Sequence, residues 1–100
     1  MNEFFEALGK HWVAAAQRRG AVIASPTLDS RVALELLELA RVAAQTRERR
    51  FAPLSCYLAG VAAERLRIEK PGTDDAATAR FIEEVRHTLE AESPNPVSER

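Results

Sequence analysis

The sequence predicts an all-α protein, a compact bundle of about four helices. Apolar residues recur three and four positions apart in four separate segments, which is the spacing of one helix face. No segment alternates apolar and polar residues over the length of a strand, and no Asn-Gly or Asp-Gly turn joins two apolar runs. A chain of 100 residues with 46% hydrophobic side chains fits one small globular domain. We therefore expect a single helical domain over residues 1–91 and a flexible tail over 92–100.

The first predicted helix covers residues 2–19. Phe5, Leu8 and Trp12 recur in it at the spacing of one helix face. Gly20 predicts its end, because glycine accepts the left-handed backbone conformation in which many helices stop.

A short strap and a second helix follow. The sequence Ala-Val-Ile-Ala at 21–24 is strand-like but short, and we expect it to lie as a strap over the end of the bundle. The second helix begins between residues 27 and 30 and runs to about Glu48. Either Thr27 or Asp29 can accept the free amide hydrogen bonds of its first turn. Its predicted inward-facing residues are Val32, Leu36, Leu39, Ala40 and Ala43, flanked by Leu37 and Ala44.

Pro53 predicts the start of a third helix, since the amide hydrogen that proline lacks would have no partner in a first turn. This helix runs to about Arg67. Gly60 lies inside it at a cost of about 1 kcal/mol relative to alanine, which predicts the close approach of a neighbouring helix. The predicted inward stripe consists of Leu54, Tyr57, Leu58, Val61, Ala62, Arg65 and Leu66.

The fourth helix follows a break at residues 70–72, Lys-Pro-Gly. Either Thr73 or Asp74 can cap it, and it extends to about Ala91. The residues after it contain two prolines and no periodic pattern, as expected of a frayed tail. The predicted inward residues of this helix are Ala77, Phe81, Val85 and Leu89, with Ile82 beside them.

Charge and cysteine content exclude several classes of protein. Fourteen lysines and arginines against fifteen acids give a net charge of −1, so no global field attracts nucleic acid or an anionic membrane. Cys56 is the single cysteine, which excludes a disulfide-stapled secreted domain. No run approaches the roughly 18 apolar residues needed to span a bilayer, and the N-terminal segment lacks the apolar run of a secretory signal. The expected location is the cytoplasm.

A basic segment marks the junction of helices 2 and 3. Guanidinium groups match phosphate and carboxylate groups in geometry, so these arginines are a candidate binding surface for an anion or a protein partner. A structural role for these residues is the alternative to binding. In it, Glu48 receives hydrogen bonds from the start of helix 3, and Arg49 binds the last carbonyls of helix 2. The candidate surface consists of Arg41, Arg47, Glu48, Arg49 and Arg50.

Aromatic residues near the N-terminus form a second candidate surface. Phe4 and Phe5 are adjacent on a helix, so they cannot both point at one core. Phe4 and Trp12 are therefore a candidate partner-facing patch. Packing of most of these rings in the core is the favoured interpretation.

Residues that could carry chemistry are sparse. His11 and His87 lie on different helices, each without a second ligand at metal-binding spacing, so we expect no metal site. A thiol at the start of a helix can be reactive, but Cys56 fits the more common role of a small buried hydrophobe. The glycine-rich phosphate loop, the Gly-x-Ser-x-Gly elbow and the His-Glu-x-x-His motif are missing. We therefore predict no catalytic residue, no cofactor and no enzymatic activity.

Residues 36–60 read LLELARVAAQTRERRFAPLSCYLAG. This segment resembles a small, uncharacterised bacterial helical domain that occurs alone or beside molybdenum-cofactor nucleotidyltransferases. The family pattern opens with Leu-Leu-x-Leu-Ala-Arg and continues with Ala-His, Glu-Arg, Ala-Pro-Leu, an aromatic residue and Leu-x-Gly. Gln45 stands where the pattern has histidine, and glutamine offers hydrogen bonds but no acid–base or metal chemistry. The matching residues are Leu36, Leu37, Leu39, Ala40, Arg41, Ala44, Glu48, Arg49, Ala52, Pro53, Leu54, Tyr57, Leu58 and Gly60.

These observations favour a non-catalytic interaction or accessory module with a protein partner. The resemblance implies a link to molybdenum-cofactor or molybdoenzyme maturation, and no reaction. One alternative is a small module that binds an anion or a nucleotide with the same arginines. Another is a self-associating bundle, a homodimer in which Phe4 is buried against a second copy.

Overall fold

A computed structural model describes residues 2–92 and contains the four predicted helices, with no strand among these residues. The all-α fold class is therefore confirmed. Apart from Glu92, the predicted tail over 92–100 lies outside the described residues. The helices are α1 (Glu3–Arg18), α2 (Ser30–Thr46), α3 (Phe51–Glu69) and α4 (Asp75–Ala91).

Local signals set the ends of α1. The side-chain oxygen of Asn2 accepts a hydrogen bond from the backbone N–H of Phe5 at 3.2 Å, which satisfies one amide of the first turn. Gly20 has a φ of 80° and donates its N–H to the carbonyl of Gln17 at 2.9 Å. The predicted stop at Gly20 is thus confirmed.

The start of α4 settles one of the two open choices of capping residue. α2 begins at Ser30, so Asp29 rather than Thr27 directly precedes the first helical residue. Asp74 caps α4, because its carboxylate accepts the N–H of Ala77 at 2.8 Å. The hydroxyl of Thr73 instead donates to a carbonyl in the preceding turn at 2.7 Å.

The chain divides into two compact units, Met1–Ser30 and Arg31–Arg100, of which the structure describes residues 2–30 and 31–92. The first unit holds α1 and the connection that follows it. The second holds α2, α3 and α4. The single domain over residues 1–91 stays a prediction.

In the first unit, the predicted strap at 21–24 forms neither strand nor helix and is exposed. Gly9 is buried where residues 25 and 26, which follow the strap, pass α1. A Cβ atom on Gly9 would lie 2.6 Å from Oγ of Ser25 and 3.0 Å from the carbonyl oxygen of Pro26. The absence of a side chain at residue 9 is what allows the connection to lie against α1.

The core of the second unit combines small side chains with Leu39 and Ile82. Val42 and Thr78 are its largest fully buried side chains. The hydroxyl of Thr78 donates to the carbonyl of Asp74 at 3.0 Å and accepts a hydrogen bond from Arg67 at 3.2 Å, so its burial leaves no polar atom unpaired. The buried residues are Leu39, Val42, Ala43, Ala63, Thr78, Ala79 and Ile82.

The predicted inward faces of α2 and α4 are partly correct. Leu39, Ala43 and Ile82 are buried as expected. Val42, which the pattern did not select, is fully buried, whereas Val85 is exposed. The apolar face of each helix is wider than the area that a neighbouring helix covers. A rotation of the helix by about one residue therefore buries one apolar position and exposes the next.

The predicted inward face of α3 is wrong for its first three residues, whereas Val61 and Leu66 are half-buried. Leu54, Tyr57 and Leu58 are 61%, 72% and 65% exposed. The inward face instead carries small side chains, with Ala63 buried and Cys56 half-buried and bonded to α2. Small side chains let helices approach closely, and the prediction had chosen the largest apolar residues.

Gly60 lies in the interior of α3 on its exposed side. No atom of the described chain would lie within 4 Å of a Cβ added there, apart from the helix's own neighbours. The predicted close approach of a neighbouring helix at Gly60 is therefore wrong.

Gly9→Ala and Gly60→Ala should change stability in opposite directions. Gly9→Ala forces a methyl group against Ser25 and Pro26, and we expect a loss of about 1–3 kcal/mol in the free energy of unfolding. Gly60→Ala removes the helix cost of glycine into open space, and we expect a gain of up to about 1 kcal/mol. Urea unfolding followed by circular dichroism measures both. A gain for Gly9→Ala would contradict the packing described for the first unit.

Candidate functional site

A network of ion pairs joins α2 to α4. Nε of Arg86 lies 3.1 Å from a carboxylate oxygen of Glu35, and this arginine side chain is only 12% exposed. The same guanidinium group contacts Glu90 at 3.3 Å and Glu83 at 3.9 Å. Glu90 also lies 3.6 Å from Arg41 of α2. Arg86 and Glu35 are 51 residues apart in sequence, so sequence spacing could not reveal the pair that joins the two helices.

Arg41, the first residue of the predicted binding surface, belongs to this network. Its guanidinium group donates to one oxygen of Glu38 from Nε at 3.1 Å and from Nη2 at 2.9 Å. That hydrogen bond raises the pKa of Arg41. The side-chain oxygen of Gln45 accepts a further bond at 3.2 Å. Arg41 therefore binds Glu38 and Gln45 on its own helix and does not belong to the exposed arginines at the connection of α2 and α3.

The other four predicted residues are exposed at the connection of α2 and α3. Arg50 donates to a carboxylate oxygen of Glu48 from Nε at 3.1 Å and from Nη2 at 2.8 Å. The backbone carbonyl of Glu48, rather than its carboxylate, accepts the first N–H of α3, from Phe51 at 3.0 Å. The predicted capping role of the Glu48 side chain is therefore wrong, because Arg50 occupies its carboxylate.

Arg47 and Arg49 make no side-chain hydrogen bond or ion pair with the described residues. The predicted bond from Arg49 to the last carbonyls of α2 is thus not formed there. Neither of the two cavities described below is lined by an arginine. At this junction Arg47 and Arg49 are therefore exposed cations, and neither cavity brings them around an enclosed anion site.

A line of side chains, all apolar except Arg65, runs along α3. It consists of Leu54, Leu58, Val61, Arg65 and Ile68, which are spaced alternately four and three residues apart, and Tyr57 and Phe51 border it. Val61 is half-buried and the others are exposed. We call this surface the α3 stripe: Leu54, Leu58, Val61, Arg65 and Ile68, with Tyr57 beside them. Sequence periodicity had identified most of these residues but had assigned them to the core.

An apolar groove continues from the stripe between α3 and α4, with a volume of about 360 Å³. The buried side chains of Leu39 and Ile82 lie at its floor. Leu58 belongs to both the stripe and the groove. Ser55, Ala59, Ala62, Phe81, Val85, Thr88, Leu89 and Glu92 complete its lining.

The first unit carries a separate exposed cluster. Phe4 and Trp12 are exposed, and the rings of Phe4 and Phe5 meet edge to face with centroids 5.1 Å apart. A cavity of about 490 Å³ lies between α1 and residues 25–28, with Trp12 and Pro26 among its lining residues. The structure places both predicted patch residues at the surface, and their contact with a partner stays a prediction.

Cys56 makes a structural contact. Its Sγ donates to the carbonyl of Leu36 at 3.6 Å, which joins α3 to α2. Burial raises the pKa of this thiol, so less of it ionises at neutral pH. His11 and His87 are exposed, and residues 2–92 contain no group of three or more side chains placed to hold a metal ion.

Comparisons with known proteins give one match. A protein-family model, described as a domain of unknown function (DUF6457), matches residues 6–96. No curated protein and no solved structure matches. Nothing in this match links the chain to molybdenum-cofactor nucleotidyltransferases. In the part of the chain that the structure describes, no helix combines the length and apolar character needed to cross a membrane.

Arg86→Ala should destabilise the protein by about 1.5–3 kcal/mol, since it leaves the half-buried carboxylate of Glu35 without its charged partner. Arg49→Ala is the matched control and should change the free energy of unfolding by less than about 0.5 kcal/mol. Urea unfolding of both variants tests this. Equal effects of the two substitutions would contradict a structural role for the network.

Cys56 should react with Ellman's reagent about tenfold more slowly than an exposed thiol, because burial both raises its pKa and blocks access. The matched control is a Cys56→Ser, Leu34→Cys variant, since Leu34 is 63% exposed on α2. The rates of both thiols should rise with pH as thiolate forms, and the rise for Cys56 should lie at higher pH because burial raises its pKa. Equal rates for the two folded proteins at pH 8 would contradict the buried placement.

Proposed function

This chain belongs to DUF6457, a family of unknown function, and we propose that it is a non-catalytic interaction module that binds a protein through the α3 stripe. The observation that carries the proposal is the exposure of Leu54, Tyr57 and Leu58 on one helix face. Proteins that act as monomers rarely expose continuous apolar patches larger than a few hundred Å². Exposure of this apolar face to water is unfavourable in free energy, and a bound partner would remove the face from water.

The composition of the stripe supports protein binding. Tyrosine is enriched among the residues that dominate binding energy at interfaces, and leucines around it exclude water. The groove beside Leu58 provides a concave apolar surface into which a partner's side chain can insert.

The junction arginines fit the rim of such an interface. Arg47 and Arg49 lie just before α3 and make no ion pair with the described residues, so both can attract an acidic partner. Charges at a rim act mainly on the rate of association and on the choice of partner. The anion-binding alternative is less well supported, since neither cavity places two arginines around a shared space.

The non-catalytic character is part of the proposal. Neither cavity has a histidine or a cysteine in its lining, and the thiol of Cys56 is engaged with α2. The sequence resemblance suggests a molybdenum-cofactor nucleotidyltransferase, or a molybdoenzyme in maturation, as the partner class to test first. The aromatic patch of Phe4 and Trp12 is a second docking surface within the same proposal.

Affinity capture of the tagged chain from its native lysate tests the proposal. Leu54→Asp places a charge in the stripe and should abolish recovery of the partner, while Arg49→Glu should weaken it. Leu34→Asp is the matched control, because Leu34 is 63% exposed but lies on α2. This variant should recover the partner as the parent chain does.

Each captured protein is then identified by mass spectrometry and its binding repeated with purified components, a molybdenum-cofactor nucleotidyltransferase included. Recovery of the same partner by the parent chain and by Leu54→Asp would overturn the stripe as the docking surface. Circular dichroism of all variants establishes that each is folded.

A further inference from the structure

We infer that the α3 stripe binds the same stripe of a second copy of this chain, with the two helices antiparallel and Val61 on the twofold axis. This inference rests on the proposed function, because it names the partner of that same surface. It also replaces Phe4, which the sequence suggested as the dimer contact, with residues of α3.

The spacing of the stripe suits helix pairing. Its members follow one another at steps of four, three, four and three residues. This is a seven-residue repeat, which keeps side chains aligned along a neighbouring helix that crosses at about 20°. Val61 is the central member, with two members on each side. Antiparallel pairing about Val61 therefore places Leu54 opposite Ile68 of the second copy.

The one charged member of the stripe gains a partner in this arrangement. Arg65 and Tyr57 lie equally far from Val61 on opposite sides, so each Arg65 faces Tyr57 of the second copy. Arg65 makes no hydrogen bond or ion pair with the described residues, and Tyr57 is 72% exposed. A guanidinium group over a tyrosine ring is favourable, and the arginine stem covers the neighbouring apolar surface.

The charges at the two ends of α3 favour the antiparallel direction. Residues 47–50 hold three arginines and one glutamate, a local net charge of +2. Residues 68–75 hold Glu69, Asp74 and Asp75 against one lysine, a local net charge of −2. Antiparallel pairing brings these ends together in both halves of the dimer, whereas parallel pairing would place the two arginine clusters side by side.

The area sets the strength of the contact. The stripe extends over fourteen residue steps, about 21 Å of helix. With Tyr57 and Phe51 at its borders it offers several hundred Å² per copy, at the lower end of specific interfaces. Contacts of this size are typical of reversible association, so we expect a dimer that dissociates on dilution.

Sedimentation equilibrium of the full chain over a wide concentration range tests the dimer. The mass should rise from 11.1 kDa towards twice that value as the concentration increases. Leu58→Asp should remain monomeric, and Arg65→Glu should weaken association at least several-fold. Leu34→Asp should dimerise as the parent chain does. A parent chain that stays monomeric, or a dimer that survives Leu58→Asp, overturns the inference.

Cysteine cross-linking tests the register in a Cys56→Ser background. Val61→Cys should form a disulfide-linked dimer under mild oxidation, since the two residues meet at the axis. Leu54→Cys should not, because two copies of residue 54 would be about 21 Å apart along the antiparallel helices. Cross-linking of Leu54→Cys and not of Val61→Cys would indicate parallel pairing and overturn the inference.

These results separate the inference from the proposed function. A monomeric chain that still loses another protein partner on Leu54→Asp would overturn the dimer and retain the interaction module. A dimer with the predicted cross-link, together with partner capture that Leu54→Asp does not affect, would support the inference and assign other protein binding to a different surface.

Discussion

Arg86 of α4 forms an ion pair with the carboxylate of Glu35 on α2, and the packing of these two helices depends on that ion pair. The apolar contact beneath it is small, since Ala43 and Ala79 bury little surface compared with leucine or phenylalanine. Carboxylates on both sides neutralise the arginine, so its burial does not leave an unpaired charge. The ion pair thus fixes a contact that the core alone would hold weakly.

A second polar contact has the same role between α3 and α4. Arg67 donates to the fully buried hydroxyl of Thr78 at 3.2 Å and lies 3.6 Å from the carboxylate of Asp75. Thr78 in turn donates to the carbonyl of Asp74, so the cap of α4 and the arginine of α3 meet at one residue. The three helices are therefore joined by polar contacts at their edges and by small apolar side chains in between. This construction leaves large apolar residues on the outside of α3.

Features of the fold could be predicted from the sequence where the interacting residues are close together in the chain. The stop at Gly20 and a cap at Thr73 or Asp74 were predictable because a turn or a cap depends on a few neighbouring residues. The buried face of α3 was not predictable, because periodicity identifies the residues that share a face but not the face that a neighbouring helix covers. Leu54 and Ala63 lie on opposite faces of one helix, and both faces are compatible with a core. Arg41 could have been separated from the junction arginines, because Glu38 lies three residues before it on the same face.

Glu92 closes the described chain at the rim of the groove between α3 and α4. A group fused after Arg100 is tethered to this rim, which Leu58 and Val85 also line, through the eight residues that follow Glu92. A purification tag, fluorescent label or fused enzyme at the C-terminal side would raise its own local concentration at the groove and compete with other molecules there. The choice of attachment point is therefore an experimental variable for this protein, and measured affinities will depend on it.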